Sequence, residues 1–459
     1  MKEISGTTNV LGLIGNPVRH TLSPLTHNTL SEELGRDMVY LPFPVEEDPI
    51  AAVKGAYHLG IRGLNVTVPY KTAVIPALTG LDDAARSIGA VNTLVRSGGG
   101  YMGYNTDLPG LTRAIKIREI RINGRQVVVL GAGGASRAVC AMALREVASV
   151  IYLINRTKEK AEAVAESLNA YFEERTVAKI IPLSVDEYRK VPDVPTVFFQ
   201  CTSLGLHPGE GLLINDREFY KRAVYGYDLI YNPAETPFLK LMKELKIEAD
   251  NGLSMLLYQG VIAYELWTGK QISEDLVQKV KVKLMRKVYG GNVILCGYMG
   301  SGKSTVGKAL AAERGMEFLD TDAMIEKGEG CTIREIFENR GEVVFRDLET
   351  KYLDKLSVTA VNTVIATGGG MVLRSENREL MKKTGQVVWL KAGEETTFNR
   401  VRKDTGRPLL DSAGEEELKK KISSMLKERG AAYETAADRV IKTDGKTVEE
   451  IVEEMVETN

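Results

Sequence analysis

Short apolar runs alternate along the chain with longer segments in which apolar positions recur every three or four residues. The longer segments have the spacing of helices with one buried face, and the short runs are typical of buried strands. Strands that alternate with helices form parallel sheets covered on both faces, so the pattern predicts an α/β fold. The predicted strands span residues 126–130, 149–154, 224–230, 292–296, 364–366 and 387–390.

The alternation is interrupted near residue 290. Residues 273–288 carry apolar side chains at helical spacing, so we expect one helix there. Gly290 and Gly291 follow, and glycine commonly ends a helix. A new buried strand is predicted from Asn292, which indicates a boundary between two parts of the chain.

Composition narrows the class of protein. The 60 basic and 61 acidic residues nearly cancel, whereas nucleic-acid and membrane-surface proteins carry excess Lys and Arg. The four cysteines and four histidines show no metal-ligand spacing, and no apolar stretch is long enough to span a bilayer. The N-terminus lacks the pattern of a signal peptide. We therefore expect a cytoplasmic multidomain enzyme with no nucleic-acid or membrane partner, of unknown oligomeric state.

A glycine turn joins the strand predicted at 126–130 to a helix. Gly131 allows the tight turn, Gly133 lets the backbone approach a pyrophosphate, and the helix offers free N–H groups. The third position of the G-x-G-x-x-G pattern is Ser136 here. We expect this loop to bind a dinucleotide, a purely structural glycine turn being the alternative. The binding positions would be Gly131, Gly133, Gly134 and Ala135.

The next predicted strand ends at Asn155, Arg156 and Thr157. NAD-binding folds usually have an acidic residue here for the ribose 2′-hydroxyl. An arginine with amide and hydroxyl neighbours would instead bind a 2′-phosphate. The chemistry favours NADP over NAD, and a solvated loop arginine is the alternative.

Four polar clusters precede this loop, at residues 15–28, 63–71, 89–93 and 103–110. They combine hydroxyl and amide groups with one lysine and one aspartate, which suits a small polyhydroxylated acid. Such residues also build turns and caps. These clusters, together with residues 228–231 and 251–259, resemble shikimate dehydrogenase over about 5–288.

The resemblance implies NADPH-dependent reduction of 3-dehydroshikimate to shikimate, with Lys71 and Asp107 as the catalytic pair. Lysine is cationic near pH 7, so Lys71 suits stabilising and protonating the alkoxide that hydride transfer leaves. Leu229 and Gly252 match positions beside the nicotinamide, and Asp83 matches a weaker contact. The implied substrate contacts are Thr21 (usually serine in the family), Ser23, Asn65, Thr67, Asn92, Tyr231 and Gln259.

Residues 297–304 fit the phosphate-loop pattern G-x-x-x-x-G-K-[ST] in full, directly after a predicted strand. Glycines let backbone N–H groups wrap a phosphate, Lys303 suits the β- and γ-phosphates, and the Ser304 hydroxyl suits Mg²⁺. We therefore expect ATP and Mg²⁺. The nucleotide-binding positions would be Gly297, Gly300, Ser301, Gly302, Ser304 and Thr305.

Five further motifs, at residues 318–322, 341–346, 368–370, 406–410 and 429–433, resemble shikimate kinase over residues 292–459. Ala431 and Ala432 replace the usual Pro-Leu pair of the last motif. The resemblance implies Asp320 near Mg²⁺, Arg407 as a lid arginine, and either Arg400 or Arg402 as a second one. Its implied substrate-binding positions are Asp322, which is also catalytic, Arg346, Gly369 and Arg429.

The two resemblances imply a fused enzyme that makes shikimate and then phosphorylates it to shikimate 3-phosphate. The expected architecture is a split substrate domain, a Rossmann-like NADP domain and a P-loop kinase domain with a parallel sheet. The alternatives are a non-catalytic regulator with the same folds and a dehydrogenase that prefers quinate or NAD. The expected boundaries are 1–107 with 250–288 for the substrate domain, 108–249 for NADP binding, 289–291 for the linker and 292–459 for the kinase.

Overall fold

The computed structural model of the chain describes residues 4–402 and 415–457. They form two compact units, one ending at Leu284 and the other beginning at Met285. Among the described residues, the first unit has two sheets and the second has one, and each unit has its own buried apolar clusters. The two units are described separately.

The first sheet of the first unit has six strands in the order β2-β1-β3-β5-β6-β4. Strands β1, β2 and β3 are parallel, while β5 is antiparallel to both β3 and β6. The elements are β1 Asn9–Gly15, α1 Ser23–Glu33, β2 Met38–Pro44, α2 Pro49–His58, β3 Gly63–Val66, β4 Gly80–Leu81, α3 Asp83–Ile88, β5 Thr93–Ser97 and β6 Gly100–Tyr104.

The second sheet of this unit is parallel, in the order β12-β11-β10-β7-β8-β9. The glycine loop follows β7, next to the point where strand order reverses, which is where open α/β sheets bind ligands. The elements are α4 Asp107–Ile117, β7 Gln126–Leu130, α5 Gly134–Arg145, β8 Val150–Asn155, α6 Lys158–Phe172, β9 Ile180–Ser184, β10 Thr196–Gln200, α7 Arg217–Tyr220, β11 Ala223–Asp228, α8 Pro237–Glu244, β12 Ala249–Asp250, α9 Leu253–Thr268 and α10 Glu274–Tyr289.

The second unit is built on a parallel sheet in the order β14-β15-β13-β16-β17. Helix α13 contains a kink at Gly341, whose φ is 82°. The elements are β13 Asn292–Cys296, α11 Lys303–Arg314, β14 Glu317–Asp320, α12 Thr321–Glu329, α13 Ile333–Thr359, β15 Thr363–Ala366, α14 Ser375–Thr384, β16 Gly385–Lys391, α15 Glu394–Val401, α16 Glu415–Ala436, β17 Arg439–Lys442 and α17 Val448–Glu457.

The predicted α/β class and parallel sheets are confirmed, but the first sheet also contains an antiparallel hairpin that the pattern did not indicate. Ser97 pairs with Gly100, so Gly98 and Gly99 alone form the turn between β5 and β6. Gly99 has a φ of 81°, a conformation that two-residue hairpin turns require and glycine adopts without strain. Each strand has only two consecutive apolar residues, 94–95 in β5 and 101–102 in β6, so no longer apolar run indicates the hairpin.

The predicted strands at 126–130 and 292–296 match β7 and β13. The helix predicted to end before Gly290 is α10, which continues to Tyr289. The two units adjoin within this helix, so the expected linker and domain boundaries stay a prediction. Within the described residues, no helix combines the length and apolar character needed to cross a bilayer.

We expect fragments 1–289 and 285–459 to fold separately, because each unit has its own sheets and core. The overlap keeps Arg286 in the second fragment, where its guanidinium donates to the carbonyls of Ser357, Ala360 and Lys383. Circular dichroism should record one cooperative thermal transition for each fragment. A fragment that melts without a transition would contradict this independence.

Candidate active sites

Lys71 and Asp107 form the charged centre of the first unit. Lys71 Nζ lies 2.7 Å from Asp107 Oδ2, and both side chains are partly exposed, at 33% and 21%. Asp107 is the first residue of α4, and the Lys71 carbonyl accepts a hydrogen bond from the backbone N–H of Val91. The structure thus brings together the two residues that are predicted to form the catalytic pair.

Thr21 and Ser23 lie at the N-terminus of α1. The Thr21 hydroxyl donates to Ser23 Oγ at 3.2 Å and accepts from the Ser23 backbone N–H at 3.2 Å. A helix N-terminus favours an anion through its unpaired N–H groups and its dipole. The two hydroxyls therefore stand where a substrate carboxylate could bind.

Asn92 and Asn65 differ in what they leave for a ligand. Asn92 Oδ1 accepts from the backbone N–H of Thr106 at 2.8 Å and from two hydroxyls, while no described residue accepts from its amide nitrogen. Asn65 gives its amide hydrogens to the Asn92 carbonyl and to Thr93 Oγ1. Thus Asn92 has a donor to offer, whereas Asn65 is satisfied internally and its contact with substrate stays a prediction.

Thr67 and Gln259 are placed by close glycine contacts. A Cβ on Gly15 would lie 2.3 Å from the Thr67 methyl group, and a Cβ on Gly110 would lie 2.7 Å from the Gln259 backbone nitrogen. Gly110 therefore allows α4 to pack closely on α9 beside Gln259. Substitution of either glycine would displace a predicted substrate residue.

The predicted nicotinamide side of the site lies between β11 and α9. Asp228, at the end of β11, is buried and accepts from the Ile230 N–H and the Thr236 hydroxyl. Burial raises the pKa of Asp228 to about 6. These bonds hold the loop that carries Leu229 and Tyr231. No role for Asp228 follows from the sequence, because its contacts with Ile230 and Thr236 are formed only in the folded chain.

The dinucleotide loop has the expected backbone form. Gly131 has a φ of 102°, and α5 begins directly after Gly133. The Ala132 N–H donates to Asn155 Oδ1 at 3.2 Å, which joins this loop to the end of β8. Arg156 and Thr157 are exposed, while Gly134 and Ala135 lie in the first turn of α5.

Asp83 has protein partners away from this loop. Its carboxylate accepts from Arg145 at 2.6 Å, from the Tyr171 hydroxyl at 2.6 Å and from Arg175 at 3.0 Å. These bonds link α3 to α5 and to the end of α6. The weaker ligand contact implied for Asp83 by the resemblance stays a prediction.

In the second unit, glycines give the phosphate loop its shape. Gly300 and Gly302 have φ values of 74° and 92°, and a Cβ on Gly297 would lie 2.6 Å from the Leu390 carbonyl. Lys303 Nζ donates to the carbonyls of Gly297 and Tyr298. The ammonium therefore lies over the loop, where phosphate oxygens would replace these carbonyls.

The predicted metal residues are in contact. Ser304 Oγ donates to Asp320 Oδ2 at 2.7 Å, and Asp320 also caps α12 through the N–H of Asp322. Hydroxyl and carboxylate oxygens are the ligands that Mg²⁺ prefers, so these residues fit the ion. Thr305, the remaining nucleotide-binding position, is exposed in the first turn of α11, and Ser301 is buried in the loop.

Arg346 is held by two carboxylates. Its guanidinium donates to Glu349 at 2.8 Å and to Glu342 at 2.9 Å. Glu349 is fully buried, and burial raises its pKa. A Cβ on Gly368 would lie 2.7 Å from oxygens of both Asp322 and Glu349, so a bare backbone is required between them.

Gly369 joins the other predicted substrate residues of this unit. Its carbonyl accepts from the Tyr433 hydroxyl at 2.5 Å and from Arg429 at 3.5 Å. Both donors lie in α16, so the Ala431–Ala432 departure leaves Arg429 beside Gly369. Arg429 and Gly369, both predicted to bind substrate, are therefore in contact.

The structure distinguishes the two candidate lid arginines. Arg400 Nη1 donates to the Gly300 carbonyl of the phosphate loop at 3.1 Å. Arg402 lies 3.9 Å from Glu415 and over the ring of Phe398. Arg400 is therefore the one at the nucleotide loop. Arg407 lies outside the described residues.

A dinucleotide loop and a lysine–aspartate pair define the first unit as an NAD(P)-dependent oxidoreductase, and a phosphate loop beside a serine–aspartate pair defines the second as a kinase. Family models agree. The shikimate dehydrogenase substrate binding domain matches residues 13–94, shikimate/quinate 5-dehydrogenase matches 113–184, the shikimate 5′-dehydrogenase C-terminal domain matches 252–280 and shikimate kinase matches 299–459. The chain belongs to the shikimate dehydrogenase family and carries a C-terminal shikimate kinase domain.

Individual relatives cover the first unit. Shikimate dehydrogenase (NADP(+)) of Caldanaerobacter subterraneus is 43% identical over 60% of this chain and 97% of that relative. The Listeria monocytogenes shikimate 5-dehydrogenase structure, with shikimate and NAD, has a TM-score of 0.56 and 32% identity over 61% and 98% of the two chains. A Thermus thermophilus structure with NADP(H) and shikimate has a TM-score of 0.52 and 32% identity over 60% and 99%.

We expect Gly252→Ala to lower the kcat/KM of the dehydrogenase about 100-fold, as a small displacement near the reacting atoms does. The new Cβ would lie 2.0 Å from the Leu229 carbonyl, and this backbone must move. Gly55→Ala in α2 is the control, because a Cβ there meets nothing within 4 Å. Steady-state assays of both variants provide the measurement, and an unchanged Gly252→Ala enzyme would refute the close contact.

Proposed function

We propose that this chain catalyses two consecutive reactions. Its first unit reduces 3-dehydroshikimate to shikimate with NADPH, and its second unit phosphorylates shikimate to shikimate 3-phosphate with ATP and Mg²⁺. The observation that carries the proposal is the presence of two sets of reacting groups in one chain: the Lys71–Asp107 pair and the Ser304–Asp320 pair beside a phosphate loop.

Lys71 is the general acid of the reduction. NADPH, when bound, supplies the hydride to the substrate carbonyl carbon. The carbonyl oxygen then becomes an alkoxide, which the ammonium group stabilises and to which it gives a proton. Asp107, 2.7 Å away, orients the ammonium and accepts a hydrogen bond from a substrate hydroxyl.

The remaining residues of the first site orient the substrate. The Thr21 and Ser23 hydroxyls hold the substrate carboxylate, and the Asn92 amide donates to a ring oxygen. Thr67, Tyr231 and Gln259 complete the contacts. Each such group acts by positioning, which makes the reaction effectively unimolecular.

Asp322 holds the shikimate hydroxyl that attacks the γ-phosphorus atom, and Arg346 and Arg429 bind the substrate carboxylate. Planar guanidinium groups suit a carboxylate because they donate two parallel hydrogen bonds. Lys303 and Arg407 neutralise phosphate charge, and Arg400 adds to this at the phosphate loop. Mg²⁺, held at Ser304 and Asp320, would add to that neutralisation, which is most of the catalysis in phosphoryl transfer.

The regulator alternative is disfavoured because Lys71, Asp107, Lys303 and Asp322 are all retained. A ligand sensor would not need the acid or the phosphate-loop lysine. We infer a cytoplasmic location, where NADPH and ATP are available, and small-molecule substrates as the partners.

The test uses one protein and two substitutions. Unsubstituted chain with 3-dehydroshikimate, NADPH and ATP should form shikimate 3-phosphate. Lys71→Ala should reduce NADPH oxidation about 10²–10⁴-fold while phosphorylation of added shikimate persists. Asp322→Asn should abolish phosphorylation and leave NADPH oxidation intact, so that shikimate accumulates. Absorbance at the NADPH band and chromatography of the products measure both steps. Lack of either activity in the unsubstituted chain would refute the proposal.

Cofactor choice is tested at Arg156. Its guanidinium is proposed to bind the 2′-phosphate, a charged interaction of about 1.5–3 kcal/mol, or roughly ten- to a hundred-fold in affinity. Arg156→Ala should raise the KM for NADPH by that factor and leave the KM for NADH nearly unchanged. Equal losses with both cofactors would show that Arg156 does not read the phosphate.

A further inference from the structure

A buried aromatic residue of β2, two strands from β3 in the first sheet, is connected by hydrogen bonds to the Asn92 amide, a predicted substrate contact. Tyr40, in β2, is 1% exposed and donates from its hydroxyl to Asn65 Oδ1 at 2.7 Å. Its ring stacks on the buried His27 ring at 4.3 Å, and its backbone N–H and carbonyl both bond to the Asn28 side chain. Burial raises the pKa of Tyr40 well above its usual value, so the phenol stays a donor.

A chain of hydrogen bonds continues from Asn65. Its amide nitrogen donates to the Asn92 backbone carbonyl at 3.1 Å and to Thr93 Oγ1 at 3.0 Å. The Thr93 hydroxyl in turn lies 3.1 Å from Asn92 Oδ1, to which it donates, and 3.2 Å from Thr106 Oγ1. Tyr40, Asn65, Thr93 and Asn92 are each no more than 5% exposed, so water does not compete for these bonds.

The direction of this chain is determined at both ends. A backbone carbonyl only accepts, so the end of Asn65 beside it must be the amide nitrogen, and its oxygen must face Tyr40. The Thr106 backbone N–H only donates, so the end of Asn92 beside it must be the oxygen. The amide nitrogen of Asn92 is then the end left for a ligand.

We propose that Tyr40 is a positioning residue of the dehydrogenase, which acts through Asn65 and Thr93 to hold Asn92 so that an amide nitrogen, a donor, meets a substrate oxygen. The inference rests on the proposed reduction of 3-dehydroshikimate. In this arrangement Asn65 supports the site from behind. His27 and Asn28, which belong to the polar cluster at 15–28 and take no part in the reaction itself, hold Tyr40 in place.

Removal of the Tyr40 hydroxyl leaves Asn65 Oδ1 buried without its donor, and such a group moves or rotates to find another. Rotation of the Asn65 amide would set its oxygen against the Asn92 carbonyl. The resulting shift reaches Asn92 through Thr93. Substrate affinity should suffer more than the hydride step, since Tyr40 interacts with Asn65 and Ser23 and touches neither the Lys71–Asp107 pair nor the dinucleotide loop.

The experiment measures shikimate oxidation by NADP⁺ with the full chain and its Tyr40→Phe variant. The phenylalanine ring keeps the stack on His27 and removes only the hydroxyl. We expect the KM for shikimate to rise roughly five- to tenfold, as for loss of one neutral hydrogen bond, with kcat within about threefold. The KM for NADP⁺ and the kinase rate of the same preparation should not change.

Tyr264→Phe is the matched control. Tyr264 is also a fully buried tyrosine near His27, but its hydroxyl bonds to Ser31 and lies outside the chain to Asn92. Its variant should keep the KM for shikimate. An equal rise in both variants would mean a general loss of packing and would overturn the inference.

A second pair of variants tests the route. Thr93→Val breaks the chain and should raise the KM for shikimate, whereas Thr93→Ser keeps the hydroxyl and should restore it. Tyr40→Phe added to Thr93→Val should cause no further rise, because residues that act in one chain are not additive. Multiplied losses, or a Thr93→Val enzyme with the original KM, would overturn the inference, and this pair decides it if Tyr40→Phe does not fold. An unsubstituted chain that fails to oxidise shikimate would refute the proposed function instead.

Discussion

The ion pair between Lys71 and Asp107 is the interaction on which the first site depends. It joins the segment after β3 to the first residue of α4, and the preceding residue, Thr106, fixes the Asn92 amide. A displacement of this helix would therefore move Asp107 and, through Thr106, the Asn92 amide that is predicted to bind substrate. Gly110 allows the same helix to pack closely on α9 beside Gln259. The first turn of α4 therefore positions side chains that come from distant parts of the chain.

The second unit depends on a different constraint: its backbone must come close to other groups at positions where a side chain would not fit. The phosphate loop needs glycines at 297, 300 and 302, where the backbone has positive φ, and Gly368 separates the carboxylates of Asp322 and Glu349. In both units the reacting groups stand at the carboxyl ends of parallel strands, where helix N-termini also point and anions are favoured. Two different chemistries thus use one physical arrangement, with glycine where side chains would block the ligand.

Sequence patterns were sufficient where burial or spacing alone determines structure. The strands β7 and β13 are continuous apolar runs, and the phosphate loop has a strict spacing with a direct geometric cause. Patterns were insufficient where the outcome depends on a fold-level contact. The choice between Arg400 and Arg402 needed the position of Gly300, and the β5–β6 hairpin has too few apolar residues to be noticed. Tyr40 lies in an ordinary strand, and only the register of neighbouring strands connects it to Asn92.

The most direct test follows a deuterium label and a phosphoryl group through both reactions. Full-length chain is incubated with 3-dehydroshikimate, ATP, Mg²⁺ and NADPH deuterated at the transferable position, and the product is analysed by mass spectrometry. We predict a single product that carries both one deuterium on its ring and one phosphoryl group, with unphosphorylated deuterated shikimate appearing first. Phosphorylated product without deuterium, or deuterated shikimate that is never phosphorylated, would contradict the assignment of two consecutive reactions to this chain.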